Sequence, residues 1–137
     1  MAKVAFLGLG VMGYPMAGHL ASAGHDVTVF NRTAAKASAW VKQHGGAMAP
    51  SPALAVTDAD FVFACVGNDD DLRGICLGSD GALGAMKSGA IFIDHTTVSA
   101  AVTKEMNDVA IKNSLSFVDA PVSGRLAPLS SAVERHI

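Results

Sequence analysis

Val4-Ala5-Phe6-Leu7-Gly8-Leu9-Gly10-Val11-Met12-Gly13 is an apolar run that passes directly into the spacing G-x-G-x-x-G. Val4 to Leu7 carry no polar residue on either face, the pattern of a strand buried inside a parallel sheet. Glycines at these positions let the backbone turn sharply, approach a pyrophosphate and start a helix packed against the sheet. Two phosphates there would meet the open N–H groups at the positive end of the helix dipole. On this reading, side chains at Gly8 or Gly10 would take the space of the diphosphate. A tight strand-to-helix turn without a ligand uses the same glycines; the strand before and the helix after favour the dinucleotide.

Outward from this turn, the chain punctuates itself regularly. Met12, Met16, Ala17, Leu20 and Ala21 have helical spacing up to a stop at Gly24, with Pro15 tolerated in the first turn. Asp26 to Phe30 read as a second strand. Thr33 to Gln43 read as a helix burying Ala37, Trp40 and Val41, closed by Gly45-Gly46. Ala47 to Ala49 predict a very short edge strand. Ser51-Pro52 opens a helix reaching about Thr57, with Ser51 as its cap. Phe61 to Val66 form the next fully apolar strand, and Asn68 caps the helix that follows. Gly78 to Gly89 predict a loop with one helical turn around Ala82 to Met86. Ile91 to Asp94 form the fifth strand. Thr97 or Ser99 caps a helix to about Lys112, with Val102, Met106, Val109 and Ala110 toward the sheet. Ser116 to Asp119 form the sixth strand. Two mononucleotide-binding halves of this kind predict an α/β, doubly wound parallel sheet of the Rossmann type, in strand order 3-2-1-4-5-6.

The bulk composition agrees. At 137 residues, 50% hydrophobic and 6% aromatic, the chain has the size and makeup of one packed α/β domain. A net charge of −2 provides no basic footprint for nucleic acid. Any phosphate-bearing ligand must therefore be held by local geometry. Cys65 and Cys76 form neither a CxxC nor a His/Cys cluster, which points to a reducing compartment, with Cys65 a small core residue. No apolar run has the length of a membrane span and no signal-peptide pattern opens the chain, so the cytoplasm is the expected location. Asp69-Asp70-Asp71 could bind a metal, but complementing a helix dipole on a solvated face explains them better, and no metal is expected.

The second strand runs into Asn31-Arg32-Thr33, where a site preferring NAD normally has an Asp or Glu for the ribose hydroxyls. An amide, a guanidinium and a hydroxyl can instead hold a 2′-phosphate, with Arg32 pairing to it in a fork. The alternative, an exposed Arg32 before a helix capped by Thr33, explains Thr33 but not the missing acid. NADP is therefore the expected cofactor, with NAD second.

Four ordered segments bring a family into view: Phe6 to Ala17, Val29 to Thr33, Ile93-Asp94-His95-Thr96-Thr97 and Asp119-Ala120-Pro121-Val122-Ser123-Gly124. Together they closely resemble the β-hydroxyacid dehydrogenases, which include 3-hydroxyisobutyrate dehydrogenase, tartronate semialdehyde reductase and the related 6-phosphogluconate dehydrogenase. The resemblance implies that Leu9, Gly10, Val11 and Met12, between Gly8 and Gly13, line the pyrophosphate. It also implies that Asn31, Arg32 and Thr33 line the ribose, that Val66, Gly67 and Asn68 flank the cofactor, and that Thr97 lies near the nicotinamide. Ser123 and Gly124 would bind the carboxylate of a small hydroxyacid; without the resemblance they are equally an ordinary turn. Val66-Gly67 stand where the family usually has Leu-Pro, which loosens the loop. His95 is expected to be packed or solvated beside its strand end, not an acid/base.

The resemblance ends near residue 124. Residues 125–137, Arg125 to Ile137, read as an atypical tail after a dinucleotide-binding domain at 1–124. The family's helical C-terminal domain has no counterpart in this sequence, nor has its general acid/base lysine. Lys3, Lys36, Lys42, Lys87, Lys104 and Lys112 lie in no matching motif, so no catalytic residue is assigned. The expected function is the NADP-binding part of an oxidoreductase moving a hydride between nicotinamide and a small 3-hydroxyacid, incomplete for turnover as this chain. A non-catalytic dinucleotide-sensing module is the alternative, and a Rossmann-like domain binding no nucleotide is a third. Apolar surface left by a missing domain would invite self-association.

Overall fold

The computed structural model describes residues 2–96 and 98–120. In chain order the elements are β1 (Lys3–Leu7), α1 (Gly13–Ser22), β2 (Asp26–Phe30), α2 (Ala34–His44), β3 (Ala47–Met48), α3 (Pro52–Val56), β4 (Phe61–Ala64), α4 (Asp69–Cys76), β5 (Ile91–Asp94), α5 (Ala100–Lys112) and β6 (Ser116–Asp119). The strands form one sheet in the order β3-β2-β1-β4-β5-β6, parallel at every pairing. This is the doubly wound arrangement expected from the sequence.

Side-chain alternation along the strands sorts the core into two layers. Ala5, Leu7, Val62, Ala64 and Phe92 face a cluster completed by Val56 of α3, Leu72 of α4 and Met106 of α5. Val4, Phe6, Phe61, Phe63 and Ile93 face the other, with Met16 and Leu20 of α1 and Ala37 and Trp40 of α2. After the exposed Lys3 at its start, β1 lacks polar residues, as β4 does throughout, because both their faces are covered. Trp40 is wholly buried, its ring 5.0 Å from that of His44 between centroids. Val41 and Val109 sit at the margins of the layers, half-buried, as expected of residues at the edge of an apolar stripe.

The helix starts follow their caps. Ser51 Oγ accepts the Leu54 N–H at 3.2 Å with Pro52 in the first turn, and Asn68 Oδ1 accepts the Asp71 N–H at 2.9 Å. Of the two caps predicted for α5, Ser99 has the role, accepting from Val102 at 3.2 Å. Ala82 to Met86 make the single predicted turn, closed by the Met86 N–H on the Ala82 carbonyl at 3.1 Å. β4 is shorter than the apolar run predicts. The Val66 N–H leaves the sheet to bond the Thr96 hydroxyl at 3.0 Å, so the chain peels away after Ala64.

Register aligns the carboxyl ends: Leu7 lies beside Phe30 and Ala64, and Ala64 beside Asp94. The turns after β1, β2, β4 and β5 therefore leave the sheet on one side, and chain order reverses between β1 and β4. A crevice at that point is where open α/β sheets bind ligands. Among the described residues no helix is long and apolar enough to cross a membrane. The boundary expected at residue 124 and the tail at 125–137 lie outside the described residues.

Candidate functional site

At the switch point a cleft of about 820 Å³ opens, lined by the whole of Gly8 to Gly13, by Asn31, Arg32 and Thr33, and by Val66 and Gly67. Gly8 has φ +100°, in the region only glycine enters cheaply, and donates its N–H to the Phe30 carbonyl at 2.9 Å. A Cβ there would run into the Cys65 carbonyl, and one at Gly13 into the Gly8 carbonyl. A Cβ at Gly10 would meet nothing within 4 Å. This corrects one expectation: Gly10 faces the space a ligand could use, whereas Gly8 is required by its backbone conformation and by the neighbouring turn. The N–H groups of Gly10, Val11, Met12 and Gly13 bond to no other described residue, and Val11 is 90% exposed on the cleft wall. Four backbone donors are thus unpaired among the described residues at the start of α1.

Asn31, Arg32 and Thr33 have three different tasks. Asn31 Oδ1 accepts the Leu9 N–H at 2.8 Å and its amide donates to the Thr33 carbonyl at 3.1 Å, bracing the glycine turn against the turn after β2. Thr33 stands at the cap position of α2 but makes no side-chain cap bond, so its hydroxyl is uncommitted. The N–H groups of Ala34 and Ala35 behind it also bond to no described residue. Arg32 is not alone: its Nη2 lies 2.6 Å from Oδ1 of Asp71 on α4. The acid absent from the end of β2 arrives from another element.

The three adjacent carboxylates turn out to be individually engaged. Asp69 accepts the Ser99 N–H at 2.9 Å, a bond that holds its carboxyl below the usual range. Asp70 pairs with Arg73 at 3.4 Å, and Asp71 with Arg32. Among the described residues no group of three or more His, Cys, Asp or Glu is placed to hold a metal. Asn68 does not line the cleft, because its side chain is committed to capping α4.

Beside this loop lies a buried polar cluster. Asp94 is fully buried and accepts the Thr96 N–H at 2.9 Å, while the Thr96 hydroxyl receives Val66. Burial pushes the Asp94 carboxyl up to about 6 against the pull of the Thr96 hydrogen bonds, and the charge of Asp119 adds to the rise. Burial and the Asp94 charge also raise the Cys65 and Cys76 thiols, which makes both poor nucleophiles. His95 is packed, as expected. Its ring stacks on Phe63 at 5.9 Å, Nδ1 lies 2.5 Å from the Ala120 carbonyl, and burial lowers its pKa.

Sequence reasoning missed several lining residues. Cys65 follows simply from being one residue before Val66, and Phe30 from being one before Asn31. Pro52, Gly74 and Ile75 reach the cleft because α3 and α4 flank the switch point, which no local pattern signals. Asp70 and Asp71 were signalled by the cap: a helix that begins just after β4 begins at the crevice. Thr97, Ser123 and Gly124 lie outside the described residues.

The family described as the NAD binding domain of 6-phosphogluconate dehydrogenase matches residues 3–130. The chain belongs to that family. This NAD-binding domain is 58% identical over 124 residues to an uncharacterized oxidoreductase of Shewanella frigidimarina, covering 90% of the chain and 43% of that protein. It is 39% identical over 123 residues to a probable 3-hydroxyisobutyrate dehydrogenase-like protein, mitochondrial, of Arabidopsis thaliana, covering 89% of the chain and 36% of the relative. Its fold superposes on Mycobacterium tuberculosis 3-hydroxyisobutyrate dehydrogenase, solved with L-serine, with a TM-score of 0.83 at 34% identity. That match covers 96% of this chain and 44% of the other. The NAD-binding domain thus spans less than half the length of these relatives.

Proposed function

We propose that the cleft binds NADP in preference to NAD, as the cofactor-binding part of an oxidoreductase that moves a hydride between nicotinamide and a small 3-hydroxyacid. One observation carries this reading. The N–H groups of Gly10 to Gly13, unpaired among the described residues, belong to the turn that lines a cleft with free space at Gly10, as suits a diphosphate at a helix N-terminus. Beyond the diphosphate, Arg32, the uncommitted Thr33 hydroxyl and the N–H groups of Ala34 and Ala35 offer donors to a 2′-phosphate. The cofactor, when bound, would supply the hydride; the protein supplies the cradle and the orientation. Val66 and Gly67 would flank it, Thr97 would lie toward the nicotinamide, and Ser123 and Gly124 would hold the substrate carboxylate, within a domain spanning 1–124. Two unpaired cysteines fit a reducing compartment such as the cytoplasm.

Calorimetry with NADPH and NADH side by side tests the reading. Tighter binding of NADPH is expected, and an NADH preference undiminished in Arg32→Asp would overturn it. A second reading, a non-catalytic module that senses the dinucleotide, is favoured by the chemistry of the lining. Among the described residues neither a histidine nor a lysine lines the cleft, and its one thiol, Cys65, is raised by burial.

A further inference from the structure

Arg32 is the cationic side chain lining the cleft among the described residues, and it is already paired. Its partner, Asp71, reaches across from the first turn of α4, and the two lie 39 positions apart in sequence. Three local features keep the carboxylate there. The Asp71 N–H is tied to Asn68, which fixes where the side chain leaves the helix. Gly67 has no Cβ; one built there would stand 2.7 Å from Asp71 Oδ2 and press the carboxylate away. Asp70, the next acid, is drawn off by Arg73 and does not compete for Arg32.

On the reading that the adenosine ribose lies beside Arg32, we infer that Asp71 is a specificity-determining residue that limits selectivity for the phosphorylated coenzyme. A 2′-phosphate needs the guanidinium that Asp71 holds, and it would bring nearly two negative charges toward a fixed carboxylate. An unphosphorylated ribose instead presents a hydroxyl, which donates to a carboxylate without repulsion. Asp71 therefore does from α4 part of what an acid at the end of β2 does in an NAD site, and Arg32 opposes it. The two side chains set the affinity ratio between NADPH and NADH together, one pulling each way. Because Arg32 is 80% exposed and Asp71 26%, the effect is modest and sensitive to salt.

The test compares the NADPH:NADH affinity ratio by calorimetry in the full chain and in Asp71→Asn, at low and at high salt. The substitution is expected to raise the ratio by about three- to tenfold at low salt, and by less at high salt. Asp69→Asn removes the same charge from the same helix end outside the cleft, and it is expected to leave the ratio within about twofold. Asp71→Ser repeats the test with a residue that suits a helix start equally well. A ratio that stays put or falls in both Asp71 variants overturns the inference and would make Asp71 a brace for Arg32. A wild-type preference for NADH would refute the NADP reading alone, since the rise in Asp71→Asn would still be observed. Failure of either nucleotide to bind overturns both.

Discussion

Asp94 carries a charge that its surroundings do not welcome. It sits at the carboxyl end of β5 with no exposure, beside Cys65, Cys76 and Asp119, and its Oδ2 has no hydrogen-bond partner among the described residues. Its carboxyl titrates at about 6 in the folded protein, against 3.8 ordinarily. The folded state thus holds this proton more tightly than the unfolded chain. The group's contribution to stability is fully present below about pH 4 and is lost as pH rises through about 6. Asp94→Asn keeps an acceptor for Thr96 and removes the charge. By urea unfolding its stability relative to wild type is expected to rise by about 2–3 kcal/mol between pH 4 and pH 8. A difference that does not vary with pH would show that ionisation of Asp94 is not its source. For His95, next in the chain, burial lowers the pKa, the ring stacks on Phe63 and Nδ1 lies against the Ala120 carbonyl.

The turn from β1 into α1 separates glycines needed for the backbone from the glycine needed for a ligand. Gly8→Ala meets both a positive φ and the Cys65 carbonyl, so a loss of about 2–4 kcal/mol in stability is expected by denaturant melts. Gly10→Ala has room, so its unfolding curve should match wild type while NADPH affinity falls at least about tenfold, since the methyl enters the cleft. If Gly10→Ala binds as well as wild type, the diphosphate is not where we place it. The elements themselves were legible because each rule is local: caps at Ser51, Asn68 and Ser99, stops at Gly24 and Gly45, and unbroken apolar strands at Val4 and Phe61. Contacts between turns were not. The braces Asn31 to Leu9 and Val66 to Thr96, and the Arg32–Asp71 pair, join residues 22, 30 and 39 positions apart. Nothing in the spacing of polar residues says which distant loop they will meet.

Across the whole molecule, the parallel register gathers those loops at one end of the sheet, so the topology made the site's position readable even where its side chains were not. Gly8 to Gly13, Asn31, Arg32, Thr33, Val66 and Gly67 were expected beside the ligand and line the cleft; Asn68 was expected there and does not line it. The chain also covers 44% of the tuberculosis enzyme, and its described cleft contains no lysine. Assayed by itself with NADP and 3-hydroxyisobutyrate, it is expected to turn over at least about 10²-fold more slowly than a full-length relative. Turnover by residues 1–137 that matches such a relative's would refute this expectation.

Trp40 is the single tryptophan of the chain, buried on the core side of α2 against His44. Its indole is therefore expected to serve as a native fluorophore with a blue-shifted emission that reddens when this half of the sheet melts. That emission overlaps the absorption band of a dihydronicotinamide, so a reduced coenzyme seated on the same domain would dim it by energy transfer. Occupancy can then be followed optically, without a label, in every variant described above.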